Sequence, residues 1–297
     1  TPTERKLQAA VALGVGLALL SIIGIGAVIF GYTGLDPESI PLPIYAAVPT
    51  TPLLIPGLVA RREETDIKNR DAEYVSFIRA LGASETAQQT TTTAVLSTLR
   101  RKDFGALTQN IDELYTRLKM RLSPEAAWRF FTADAQSYLI QKFSEMYLIG
   151  RQMGGDPKHL GELISENMNE VLQLRERRDQ STMTLIGVIY GITAAATFAF
   201  FIGLGIVEQL SAMTLDMNTP AGFDFNSLIN TDVYDIDLIE FLLTLTVLVN
   251  AMFSALIVRV VDGGHKVNSF MHFVFLTWLG AVVGSMTIEL VGSLLGI

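Results

Sequence analysis

Four clusters of cations are the residues of this chain best suited to do chemistry, and the chemistry they suit is the docking of anions. They are Arg61 and Arg62; Arg100, Arg101 and Lys102; Arg117, Lys119 and Arg121; and Arg175, Arg177 and Arg178. The first and last flank long uncharged stretches, where the positive-inside rule or an anionic lipid accounts for them. The middle two stand further from such stretches and are candidates for docking an acidic protein surface. For any single cluster, a solvated helix face is the plainer reading.

Catalytic constellations do not assemble. A phosphate-cradling loop ends in Gly-Lys-Ser or Gly-Lys-Thr, and the dipeptide Gly-Lys does not occur in this chain. Gly14-Val15-Gly16 and Gly203-Leu204-Gly205 lack the third glycine of a dinucleotide fingerprint and sit inside apolar runs, where helix packing explains them better. Asp103-Phe104-Gly105 matches a kinase magnesium-binding turn but has no companion kinase motif. The histidines His159, His265 and His272 form no helical pair, and there is no cysteine, so no metal site is proposed. No catalytic residue and no cofactor are assigned either. Glu289, about nineteen residues along from the start of the last apolar run, is an intramembrane candidate because a charge in lipid costs several kcal/mol unless paired or wetted. An interfacial position or an interhelical hydrogen bond is its plainer reading, as it is for Glu208. Gly187 with Gly191, Gly280 with Gly284, and Gly292 with Gly296 have the four-residue spacing that lets membrane helices approach closely or dimerise.

The elements that must carry these residues are membrane helices. Hydrophobic residues make up 49% of the chain and charged ones only 18%, with mean hydropathy +0.38, more apolar and less charged than a soluble domain. Residues 7–32 carry no charge, and such a run reaches ~39 Å as a helix against a hydrocarbon core of ~30 Å. Residues 40–60 are also uncharged but hold Pro41, Pro43, Pro49, Pro52 and Pro56, which should interrupt the helix. Spans at 182–207, 241–258 and 270–288 complete a set of five. Arg5, Lys6, Arg61, Arg62, Arg177, Arg178, Arg259 and Lys266 then all fall on one side, the cytoplasm. The opposite loops, 33–39 and 208–240, hold no Lys or Arg but carry Asp36, Glu38, Asp216, Asp224, Asp232, Asp235, Asp237 and Glu240. The fold class is therefore all-α: a polytopic membrane protein with five transmembrane helices and an inserted cytoplasmic helical bundle. Two N-terminal spans occupy 1–60, the cytoplasmic domain 61–181, and three spans 182–297, with the C-terminus outside. The net charge of −8 argues against a nucleic-acid partner.

Within 61–181, 18 basic residues balance 18 acidic ones and no strand alternation appears. Ser123-Pro124-Glu125 reads as a helix start with a cap, a proline at the first helical position and an acid at the positive dipole end. That helix is predicted to run through Trp128, Phe131, Tyr138 and Phe143 to Gly154-Gly155. Asp156-Pro157 restarts a helix whose stripe of Leu160, Leu163, Ile164, Met168, Val171 and Leu172 leads on into the third span. Shorter helices are predicted over 106–121 and, capped by Ser84, over 84–101.

Layout and local motifs together resemble a family, the membrane platform proteins of type II secretion, type IV pili and the archaellum, with the archaellum platform the nearest. The resemblance rests on Phe77-Ile78-Arg79-Ala80-Leu81-Gly82, Asp103-Phe104-Gly105-Ala106-Leu107, Ile111 to Leu118 with Arg117, Trp128, Gly154-Gly155, and Leu174-Arg175-Glu176-Arg177-Arg178, in order across the soluble domain. It implies a type II secretion F-like domain in a non-catalytic platform. Such a platform anchors a hexameric assembly or motor ATPase at the membrane and helps move pilin-like subunits, archaellins in the archaellum, from the bilayer into a filament. Basic residues facing the ATPase follow by the same analogy, whereas a homodimer is expected from the glycine pairs and contact with membrane lipid from the spans and the cations that flank them. Such platforms usually carry two copies of the helical domain and one is found here, so the sequence reads as the C-terminal half of a longer protein or as a shorter, tight-adherence-like relative. Readings of another class are a small transporter using Glu289 and a membrane-bound docking or sensor protein.

Overall fold

A computed structural model describes residues 2–29, 40–88, 91–216 and 235–295. Among these residues the chain forms helices and no strand. Five helical segments are long and apolar enough to cross a membrane: Glu4–Ile29, Leu42–Ala87, Pro157–Glu208, Ile236–Asp262 and Lys266–Leu294. Of the expected acidic loops, Asp36, Glu38, Asp224 and Asp232 lie outside the described residues, as does Gly296. The chain divides into two compact units, one of Thr1–Arg61 with Ser181–Ile297 and one of Arg62–Gln180.

In the first unit, α1 (Pro2–Ile29) is followed by α2 (Leu42–Ala47), a 3-10 turn (Val48–Leu53) and the start of α3 (Leu54–Gln88). The prolines act as expected: Pro49 and Pro52 remove the donors that an α-helix needs at that point, and the backbone tightens to 3-10 geometry there. The segment is held by α10 (Ser269–Leu295), where the Trp278 indole N–H donates to the Thr51 hydroxyl at 3.0 Å. The distal part of α8 (Pro157–Asp216), α9 (Ile236–Asp262) and α10 pack through small residues. A side chain at Gly280 would meet Val247 of α9, and one at Gly284 would meet the Phe201 ring of α8, so this glycine pair serves helix packing within the chain. Gly187 and Gly191 have nothing within 4 Å of a would-be Cβ, and that pair packs on no described residue.

The second unit is a helical bundle built around the aromatic stripe of α3. Tyr74, Phe77, Ile78 and Leu81 are fully buried, at the three- and four-residue spacings of one helix face. Phe104, Trp128, Phe131 and Tyr147 close over them, with edge-to-face pairs at 5.7 Å (Phe77–Phe104) and 5.4 Å (Trp128–Phe131). Each such ring contributes on the order of 2 kcal/mol by burial alone. Glycine brings α3 and α8 into backbone contact: a Cβ on Gly82 would lie 2.2 Å from the Pro157 carbonyl oxygen, and one on Gly161 would lie 2.9 Å from that of Ile78.

Three helix boundaries differ from the sequence reading. Ser84 caps nothing, because α3 runs on to Gln88; α4 is only Thr92–Leu99, so the Thr-rich run opens a short helix after a break. The helix expected from Ser123 to Gly154 is two helices, α6 (Pro124–Ala135) and α7 (Tyr138–Gln152). Gln136 sits in the left-handed region at φ 54°, and Ser137 caps α7 by accepting from the Ile140 N–H at 3.2 Å. The break is fixed from outside: Arg70 of α3 donates to the Ala135 carbonyl at 2.9 Å, and the Ser137 hydroxyl donates to the Asp71 carboxylate. α8 also runs on to Asp216, into the start of the expected loop at 208–240, while other helix signals hold. Ser123 accepts from the Ala126 N–H at 3.3 Å; α5 (Thr108–Lys119) follows a 3-10 turn at Gly105–Leu107; α8 is one unbroken helix of 60 residues.

Candidate functional site

Two of the four cation clusters meet on one surface of the Arg62–Gln180 unit. The turn after α4 carries Arg100, Arg101 and Lys102, and the end of α5 carries Arg117, Lys119 and Arg121. Tyr115 joins them: the Arg100 guanidinium lies 4.6 Å from its ring centroid and the Lys119 ammonium 6.0 Å, a geometry in which the ring face attracts both charges. Arg100 also pairs with Asp112 at 3.0 Å. Arg117 bridges Glu113 at 2.9 Å and Asp134 at 2.6 Å and stacks over Phe130, so its charge is spent on tying α5 to α6. Arg101, Lys102, Lys119 and Arg121 are exposed and form no ion pair among the described residues. Beside them Met120 is 70% exposed. Solvent-facing cations on these two turns, with Lys119 and Arg121 flanking Met120 in the chain, are suited to grip an acidic surface.

The fourth cluster divides differently. Arg175 donates to Asp71 at 2.8 Å, and that carboxylate is 1% exposed, so Arg175 joins α8 to α3 in the interior. Burial pushes the Asp71 carboxyl above the usual carboxylate range, against the pull of Ser137 and Arg175. Arg177 and Arg178 lie exposed on the same helix. Glu289 is exposed on α10, and its side chain makes no hydrogen bond or ion pair among the described residues. Among those residues no group of three or more His, Asp or Glu is arranged to hold a metal.

A second buried carboxylate went unread in the sequence. Glu85, also 1% exposed at its side chain, accepts from the Tyr147 hydroxyl at 2.9 Å and pairs with Arg151 at 3.2 Å. Burial and this neighbouring carboxylate push the Tyr147 phenol up, which keeps it a proton donor. The signal was present: positions 71, 74, 78, 81 and 85 are spaced three and four apart, so both acids lie on the core stripe of α3. An acid on a core stripe demands a buried partner.

Two known proteins resemble the chain. Flagella accessory protein J of Methanocaldococcus jannaschii is 34% identical over 265 residues, 89% of this chain and 47% of that protein. Flagella accessory protein J of Methanococcus voltae is 29% identical over 296 residues, 99% of this chain and 53% of that protein. The chain thus spans about half the length of the curated relatives it matches. No family model matches it, and no solved structure does.

Proposed function

The chain is homologous to flagella accessory protein J over most of its own length, and from that premise we propose that it is the membrane platform of an archaellum. In this reading the Arg62–Gln180 unit faces the cytoplasm and receives the assembly or motor ATPase. The membrane helices help pilin-like subunits pass from the bilayer into the growing filament. The homology carries the proposal. It is supported by the five spans, by basic residues that fall on one side of them, and by the free cations Arg101, Lys102, Lys119 and Arg121 beside Met120. The relatives bear an accessory name and no enzymatic one, which fits a scaffold acting through contacts.

Deletion of the gene tests this in the cell. Surface filaments and swimming should disappear and return with the wild-type gene. A complement carrying Arg101→Glu, Lys102→Glu, Lys119→Glu and Arg121→Glu should reach the membrane at normal levels yet restore neither. Filaments of normal number and length on the deletion strain would end the proposal.

A further inference from the structure

The hairpin that joins α9 to α10 lines a half-open cavity of about 630 Å³. Its walls are apolar, from Leu256, Val260, Val267 and Phe270, and its polar side chains are Arg259, Lys266 and Ser269. Arg259 is 5% exposed. The turn wraps it: the His265 carbonyl accepts from its Nε at 2.6 Å, the Asp262 carboxylate pairs with another guanidinium nitrogen, and Gly264 leaves room that a Cβ would take from the guanidinium. Gly263, in the left-handed region at φ 69°, closes α9 and permits that wrap. With Asp262 offsetting Arg259, Lys266 leaves the turn one net positive charge, and it is exposed and forms no ion pair among the described residues.

This cavity lies at the ends of two helices apolar enough to cross a membrane, where hydrocarbon gives way to headgroups. Val260, on its wall, is 80% exposed, and on a membrane-crossing helix an exposed apolar side chain faces lipid tails. We propose that the cavity is a binding site for one anionic phospholipid, its phosphate held by Lys266 at the rim and its first chain carbons lying against Leu256, Val260 and Phe270. Charge complementarity selects the anionic headgroup, and the apolar wall selects a tail over a free anion. The proposal does not depend on the platform reading.

Native mass spectrometry of the full chain, delipidated in detergent and titrated with phosphatidylglycerol or phosphatidylcholine, tests it. Wild-type protein should retain phosphatidylglycerol about fivefold better, the preference that one interfacial cation gives. Lys266→Gln should abolish the preference, and Val260→Gln should weaken both lipids while keeping it. Lys158→Gln, a cation of the other unit, should change nothing. Millimolar inorganic phosphate should fail to displace the lipid. Equal retention of the two lipids by wild type, a preference that survives Lys266→Gln, or displacement by inorganic phosphate would each overturn the assignment. If Lys266→Gln does not fold, as judged by tryptophan emission, the wild-type preference and Val260→Gln decide the matter.

Discussion

Gly82→Ala places a single methyl group where α3 and α8 touch, and the structure gives its cost. The new Cβ would stand 2.2 Å from the Pro157 carbonyl oxygen and 3.2 Å from the Gly161 Cα, and both are backbone atoms that no rotamer change can move aside. Relief requires the helices to part by about 1 Å, which strips contact from Ile78 and Leu81 beside it. Overpacking of this kind costs about 3 kcal/mol, and the better helix propensity of alanine returns about 1 kcal/mol. The net loss is about 2 kcal/mol, roughly 8 °C in the melting midpoint of a unit of this size. The chain has two tryptophans, and Trp278→Phe leaves Trp128, 2% exposed in the core of this unit, as sole reporter in the full-length protein in detergent. An unchanged or raised midpoint for Gly82→Ala in that background would refute the close crossing. Gly187→Ala, with open space around its Cβ, should leave the midpoint where it was.

Other perturbations follow from the buried pairs. Arg175→Ala leaves the Asp71 carboxylate buried without its cation and should cost about 2 kcal/mol near neutral pH, discounted from the full buried-pair value because Arg175 is 35% exposed. Asp71 is raised above its ordinary value, so the stability it lends is present at low pH and lost as pH climbs through its folded pKa. Removing Arg175 raises that pKa further, so the gap between variant and wild type should be widest at neutral pH and close as pH falls through the two raised folded pKa values, both above the ordinary carboxylate range; a gap constant with pH would contradict this origin. Tyr147→Phe takes a donor from Glu85 and should lower the same midpoint by the equivalent of about 1–2 kcal/mol. Thr51→Val strands the Trp278 indole N–H, and should shift Trp278 emission to the blue at a cost of about 1 kcal/mol; unchanged emission would mean that the bond is not made.

Much of this fold is legible in the sequence because its strongest signals are local. Uncharged runs give the five spans, Pro49 and Pro52 mark the 3-10 interruption, Ser123-Pro124 marks the start of α6, and Pro157 opens a helix that nothing stops before the membrane-spanning length is reached. Breaks made by tertiary contacts are not local. Residues 134–138 contain neither glycine nor proline, and the corner between α6 and α7 exists because Arg70 and Asp71, more than 60 residues earlier, hold its carbonyl and its cap. The cation clusters show the same divide. Arg117, Arg175 and Arg121 look alike in sequence, yet Arg117 is bound to two acids and Arg175 to a buried one, while Arg121 is left to solvent; partner choice depends on residues that only folding brings together. Asp71 and Glu85 were readable from their place on the α3 stripe, but that pattern discloses that a partner is needed without naming it.

The platform account is tested most directly by affinity between the full chain in nanodiscs and the ATPase encoded in the same filament cluster, measured across a salt series. The account predicts binding that weakens as salt rises and that is lost on reversal of Arg101, Lys102, Lys119 and Arg121, while reversal of Lys158, an exposed cation of the same unit, leaves it intact. Absence of binding by the folded wild-type chain in every nucleotide state, or binding indifferent to the four cations, would contradict it.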